Sequence, residues 1–193
     1  GMTKVPRSLF MGTNELTVQE KKTIATHTLW GYRILKNFSV PENIAAVSLE
    51  HHEKMDGTGY PRRLKGDAIS LYARIIAVAC FYDTSVSKRP YKNPVEGHRT
   101  IVYLLTSQKT KYDENVLKAL VFVLSIYPVG TNVLLSNNTK GVVYKTNQEE
   151  PKYPVIKLLV DENGREIGKQ ILVQTREENG VKIIRALKPE ELS

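Results

Sequence analysis

Apolar positions follow two rhythms along this chain. Up to about residue 127 they recur every three or four residues, the period of helices with one buried face; beyond it they come as short runs broken by turn residues, as in strands. Thr17-Val18-Gln19-Glu20 has capping-box spacing, in which the threonine side chain accepts from the backbone three residues on and the glutamate reaches back. A helix is predicted from there to about Phe38, with Ile24, His27, Gly31, Ile34, Leu35 and Phe38 on its inward stripe. Pro41 suits the start of a second helix because its missing N–H would be unpaired in a first turn anyway. On that helix Ile44, Val47, Ser48, His51 and His52 share the inward side. A third helix is expected from about Ser70 to Ser87, with Ile75, Val78, Ala79, Tyr82 and Val86 as core stripe and Ile76, Cys80, Asp83 and Ser87 as a neighbouring strip. Two more are expected at about 94–107 and 113–126, the latter burying Val116, Leu117, Leu120, Val123 and Leu124. Trp30 and the tyrosines form no stacking series and read as core, and His98 reads as exposed.

After Tyr127-Pro128-Val129-Gly130 the apolar runs are 133–135, 141–144, 155–159, 171–173 and 181–184. Asn137-Asn138, Asn163-Gly164 and Asn179-Gly180 suit tight turns with positive φ, and Gly130, Gly141 and Asn147 read as turn positions. The expected fold class is therefore α+β: an all-α helical domain over 1–127, then a small antiparallel β domain over 128–193. The β part holds no ligand constellation, and an interaction or homo-oligomerisation role is the most it suggests.

Composition narrows the class. At 193 residues, 41% hydrophobic and 25% charged, the chain can bury one good core, or a domain with an appendage. It has no apolar run of the roughly 20 residues that span a bilayer and no secretory-type start, so the expectation is a soluble cytoplasmic protein without a membrane partner. Gly1 before Met2 reads as a scar of tag removal. The single cysteine, Cys80, excludes an internal disulfide framework. The net charge of +8 is concentrated in residues 1–127, which hold 18 Lys and Arg against 11 Asp and Glu. Such a field favours anionic, phosphate-bearing ligands. A nucleic-acid partner gains no support, since there is no dense basic run.

The densest chemistry lies in His51-His52-Glu53-Lys54-Met55-Asp56-Gly57-Thr58-Gly59-Tyr60-Pro61, where two imidazoles close an apolar helix and an acidic, glycine-rich turn follows at once. This string closely resembles the motif of the HD-GYP family, with Gly59-Tyr60-Pro61 as the "GYP" itself. The likeness continues through Ala73-Arg74-Ile75-Ile76-Ala77-Val78-Ala79 and Arg89-Pro90-Tyr91-Lys92, over roughly residues 3 to 127. HD-GYP proteins are helical, metal-dependent phosphodiesterases that hydrolyse cyclic di-GMP. The family's opening His-Asp pair has no counterpart here, and Lys4-Val5-Pro6-Arg7-Ser8-Leu9-Phe10 resembles the stretch just after it. The resemblance thus implies a helical domain truncated before Lys4.

By that resemblance His27, His51 and His52 match metal-binding histidines, and iron or manganese is the implied divalent ion. Read alone, His27 equally suits a hydrogen-bonded core residue. The family's aspartate ligand in a Val-Ala-Asp context is replaced in Val78-Ala79-Cys80, so Cys80 is either a fourth, softer ligand or a small core filler. Asp83 matches an acidic position near the ligand, and Arg89 and Lys92 match basic residues facing its phosphates; both also suit a solvated basic loop stiffened by Pro90. Asp56, Gly57, Gly59, Tyr60 and Pro61 shape the motif turn, with Gly57 and Gly59 expected to adopt angles that a side chain forbids. The implied function is a cyclic di-GMP phosphodiesterase in full-length form, with this chain inactive alone and its catalytic residues unassigned. The alternative is a degenerate, non-catalytic module that binds a cyclic dinucleotide or a diguanylate cyclase partner.

Overall fold

The computed structural model describes residues 1–11, 15–88, 93–176 and 180–192. An all-α N-terminal domain precedes a small antiparallel β-sheet domain. The helices are α1 (Ser8–Met11), α2 (Val18–Ala25), α3 (His27–Asn37), α4 (Glu42–Glu50), α5 (Leu71–Val86), α6 (Gly97–Thr106) and α7 (Glu114–Leu124). The strands are β1 (Asn132–Leu135), β2 (Lys140–Lys145), β3 (Val155–Val160), β4 (Leu172–Gln174) and β5 (Ile183–Ala186). Two compact units result, Gly1–Val95 with Tyr103–Leu117, and Glu96–Val102 with Lys118–Ser193. None of the helices among the described residues is long and apolar enough to cross a membrane.

In the first unit the capping box forms as its spacing predicts: Glu20 N donates to Thr17 Oγ1 at 3.3 Å, and Thr17 N donates to Glu20 Oε2 at 2.7 Å. The single helix expected from here to Phe38 is instead two, parted at Thr26. Side chains capture the carbonyls at the junction: Thr26 Oγ1 donates to Thr23 O at 2.7 Å and Thr28 Oγ1 to Ala25 O at 3.0 Å, while Thr26 N turns to Thr23 O. Such side-chain bonds compete with the helical ladder and tighten it locally. The expected stripe also ends early, for Phe38 is 78% exposed.

On α4 the fully buried positions are Ala45 and Glu50, whereas Ile44 faces solvent. Helix α5 has the expected limits, capped by Ser70 Oγ accepting from Ala73 N at 3.3 Å. Its buried face is Ala73, Ala77, Val78 and Ser85; of the expected stripe Val78 is buried and Tyr82 and Val86 are half-buried, but Ile75 and Ala79 are exposed. Trp30, expected in the core, is on the surface with the Arg33 guanidinium 5.3 Å from its ring centroid, and of the described tyrosines only Tyr112 is buried.

The second unit is built on a five-stranded sheet of order β4-β3-β2-β1-β5, every pairing antiparallel. Val133, Leu135, Val143, Ile156 and Leu158 form its core, alternating with more exposed positions as a sheet with one covered face requires. Asn138 at φ 62° and Gly164 at φ 80° make the expected left-handed turns, while Asn179 lies outside the described residues. Val123 is exposed, not buried. His98 is half-buried rather than exposed: its ring lies 4.6 Å from that of Tyr127, within 5° of parallel, and Nδ1 donates to Ile126 O at 2.8 Å.

Gly141 is not a turn residue but sits inside β2, where a Cβ would lie 2.5 Å from Ile156 Cγ2 and 2.6 Å from Lys157 O. The carbonyl belongs to the paired strand and cannot yield without breaking the ladder. Gly141→Ala is expected to destabilise the sheet by about 1–3 kcal/mol, read as a lower denaturation midpoint in urea followed by circular dichroism.

Candidate metal centre

Helix ends deliver the three histidines. His27 opens α3 immediately after the Thr26 break, and its Nδ1 lies 2.7 Å from Ile24 O, a carbonyl at the end of α2. His51 caps the C-terminus of α4, with Nδ1 3.0 Å from Ser48 O and 3.2 Å from Val47 O. A carbonyl oxygen can only accept, so Nδ1 is a donor in both rings, and when a ring is neutral its Nε2 presents a lone pair. Those two Nε2 atoms face each other at 3.2 Å.

The third ring, His52, is held differently. Its centroid lies 4.2 Å from that of His51 and 5.1 Å from that of His27, and its outer face is covered by Tyr60 at 4.9 Å and 24°. One ring nitrogen from each histidine falls within 4.8 Å of the other two. Two imidazole ligands at 2.0–2.1 Å from one tetrahedral ion would be separated by about 3.3–3.4 Å, close to the 3.2 Å between Nε2 of His27 and Nε2 of His51. Burial, followed by the charge of His27, holds His51 below its ordinary value. Burial, then His51 and His27, pushes His52 down to about 3. Neutral imidazole is the ligating form, so the donor set fits a divalent ion.

The residues around the histidines fix the motif turn. Glu53 is 2% exposed, its Oε1 accepting from Arg62 N at 2.7 Å and its Oε2 from Leu64 N at 3.0 Å. Glu50, 5% exposed, accepts from Ser70 N at 3.0 Å and pairs with the Arg62 guanidinium. Both carboxylates are thus satisfied by the loop that follows the histidines. Gly57 adopts φ 81° as expected. Gly59 does not need a left-handed angle; it is glycine for want of space, since a Cβ would lie 2.4 Å from Glu53 Cα. The Tyr60–Pro61 bond is cis. Asp56 does not join the imidazoles: its Oδ1 accepts from Thr58 N at 2.9 Å and Thr58 Oγ1 at 2.6 Å. Lys54 Nζ donates to Tyr112 Oη at 2.5 Å, and burial pushes its ammonium down to about 8.

Among the other expected site residues, Cys80 is half-buried on α5 with Sγ 3.9 Å from Thr84 Oγ1, and the structure does not bring it into the histidine group. Asp83 is exposed and accepts from Ser87 Oγ at 3.3 Å. Arg89 and Lys92 lie outside the described residues. Glu50 and Glu53 escaped the sequence reading, although two acidic residues three apart on an inward helix end were a visible signal. A groove of about 660 Å³ lined by Leu35, Ile44, Val47, His51, Tyr72 and Ile76 adjoins the centre.

Comparison with known proteins gives this arrangement a lineage. Residues 1–116 match the family described as HD domain, and residues 132–193 match the one described as KOW domain associated with HD domain. The chain belongs to the HD superfamily, in its HD-GYP-like branch. It is similar to the cyclic di-GMP phosphodiesterase PdeB of Borreliella burgdorferi, 27% identical over 88% of this chain and 44% of that protein. It is also 35% identical to a cyclic di-GMP phosphodiesterase of Pseudomonas aeruginosa over 82% of this chain and 38% of that protein. The chain thus spans less than half the length of these relatives. An HDG"Y"P protein from Bdellovibrio bacteriovorus shares the fold, with a TM-score of 0.51 at 14% identity over 64% of this chain and 39% of that one.

The lowered values of His51 and His52 set a pH dependence for the metal-free HD-GYP-like domain. Below pH 6.5 the unfolded chain takes up protons on these two residues that the folded chain refuses, so stability must fall with pH. The melting temperature is expected to hold its high-pH value above about pH 6.5 and decline progressively toward pH 3, and replacing both His51 and His52 by glutamine should flatten that decline in a calorimetric series.

Proposed function

We propose that this chain is the metal-holding and cyclic-dinucleotide-binding part of an HD-GYP phosphodiesterase whose full-length form hydrolyses cyclic di-GMP, and that the chain does not turn over substrate by itself. The observation that carries the reading is the convergence of three imidazoles, with one nitrogen of each within 4.8 Å of the others and the Nε2 atoms of His27 and His51 at 3.2 Å, a spacing that suits two ligands of one cation. His27, His51 and His52 would hold the ion, with iron or manganese implied by the family. When bound, such an ion acidifies water and neutralises phosphate oxygens. The chain's own part is to hold the three imidazoles together, to keep those of His51 and His52 from taking up protons, and to surround the group with net positive charge. Arg89, Lys92 and Asp83 are proposed to meet the dinucleotide, the guanidinium as a two-pronged donor to phosphate and the lysine as a point charge.

The absence of any carboxylate from the histidine group among the described residues supports the part of the proposal that denies turnover to the isolated chain. The same observation favours a second reading, a non-catalytic module that binds the dinucleotide or docks a diguanylate cyclase. The β unit is then an interaction element, in keeping with its match to a KOW domain associated with HD domain.

The test is metal analysis and turnover on the chain as given and on a version extended upstream. About one equivalent of divalent ion should bind and raise the melting temperature, chelation should reverse the gain, and His51→Ala should abolish it. Hydrolysis of cyclic di-GMP regained on extension supports the enzyme; nucleotide binding with no turnover in either supports the module. Failure of wild-type protein to bind metal in calorimetry would overturn the proposal.

A further inference from the structure

His27 and His51 are each oriented by a hydrogen bond from Nδ1 to a backbone carbonyl, the arrangement that normally fixes a metal-binding imidazole. No such bond to His52 is present among the described residues. Its ring instead lies among rings, with His51 tilted at 4.2 Å and Tyr60 stacked at 4.9 Å and 24°. What holds Tyr60 there can be traced. Tyr60 N donates to His52 O at 3.3 Å, and Gly59 lies against the Glu53 backbone too closely to admit a Cβ. Two residues further on, the buried Glu53 carboxylate takes Arg62 N and Leu64 N, one on each oxygen, while Glu50 takes the Arg62 guanidinium and Ser70 N. The two carboxylates bracket His51-His52 in sequence, and each of these donors comes from residues 62–70.

We infer that Glu53 and Tyr60 are positioning residues for the third imidazole: the carboxylate clamps the motif loop, the loop presses the Tyr60 ring onto His52, and the stack replaces the hydrogen bond that orients the other two histidines. The aromatic face of Tyr60 is what the centre uses; its hydroxyl has no hydrogen-bond partner among the described residues. A side chain that fills the same plane therefore serves equally, and one that removes it releases the His52 ring while leaving His27 and His51 anchored. The inference rests on the proposed metal site for its consequence, but the orientation of His52 is a property of the protein alone.

Cobalt(II) serves as a spectroscopic probe in titrations of the whole chain, with imidazole nitrogen–proton correlation spectra recorded on the metal-free protein. Tyr60→Phe should match wild type in both. Tyr60→Ala and Glu53→Gln should bind cobalt about 10–100-fold more weakly, as loss of an orienting neighbour generally does, with an altered visible absorption spectrum and unchanged far-ultraviolet circular dichroism. In the metal-free spectra of these two variants the His52 signals should shift and broaden while those of His27 and His51 stay in place. Wild-type cobalt affinity and absorption in Tyr60→Ala would overturn the inference. If Glu53→Gln does not fold, the Tyr60→Phe and Tyr60→Ala pair decides alone. If wild type binds no cobalt, the metal reading has failed and the His52 signals still decide: unchanged in Tyr60→Ala, they overturn the positioning role.

Discussion

The Nε2 atoms of His27 and His51 stand 3.2 Å apart, and the arrangement persists because each ring has spent its Nδ1–H on a carbonyl. Helix ends make this possible. The last carbonyls of a helix have no partner within it, and a histidine placed one turn later can take them. His27 uses the end of α2 and His51 the end of α4, so the break at Thr26 and the stop after Glu50 are part of the centre's construction.

Burying two glutamates beside these rings would be costly if their oxygens were unpaired. The loop after α4 removes the cost in both directions. It has little regular secondary structure, so its amides need acceptors, and the Glu50 and Glu53 carboxylates need donors. The result is a rigid turn without a ladder of its own, anchored to the same helix end that presents His51 and His52. Membership of the HD superfamily agrees with this construction, for the residues that form it fall within the matched segment 1–116.

Much of this was readable from residue order. The Thr17 capping box, the limits of α5, the five strands and the left-handed Asn138 and Gly164 follow from local rules, because each depends on a few neighbouring residues. The motif string drew attention to His51 and His52, and periodicity put His27 on an inward face. Burial was less legible. Phe38, Ile75, Val123 and Trp30 are apolar residues at inward-looking positions, yet all are exposed, because a hydrophobic period gives the width of a stripe but not which part of it finds a partner. Gly141 looked like a turn and is a strand residue for a reason that lies on the neighbouring strand. Asp56, read as a turn residue, spends its carboxylate on Thr58, two residues away.

The sequence by itself determined the class of the molecule, the order and kind of its elements, and the three histidines worth following, since these depend on spacing and on the chemistry of single residues. Only the tertiary structure decided that Nε2 of His27 meets Nε2 of His51, that Cys80 stays outside their group, and that Glu50 and Glu53 are buried supports rather than surface charges. The physical reason is that ligation and burial are relations across space between residues such as His27 and His51, and no local rule measures the distance between two helix ends.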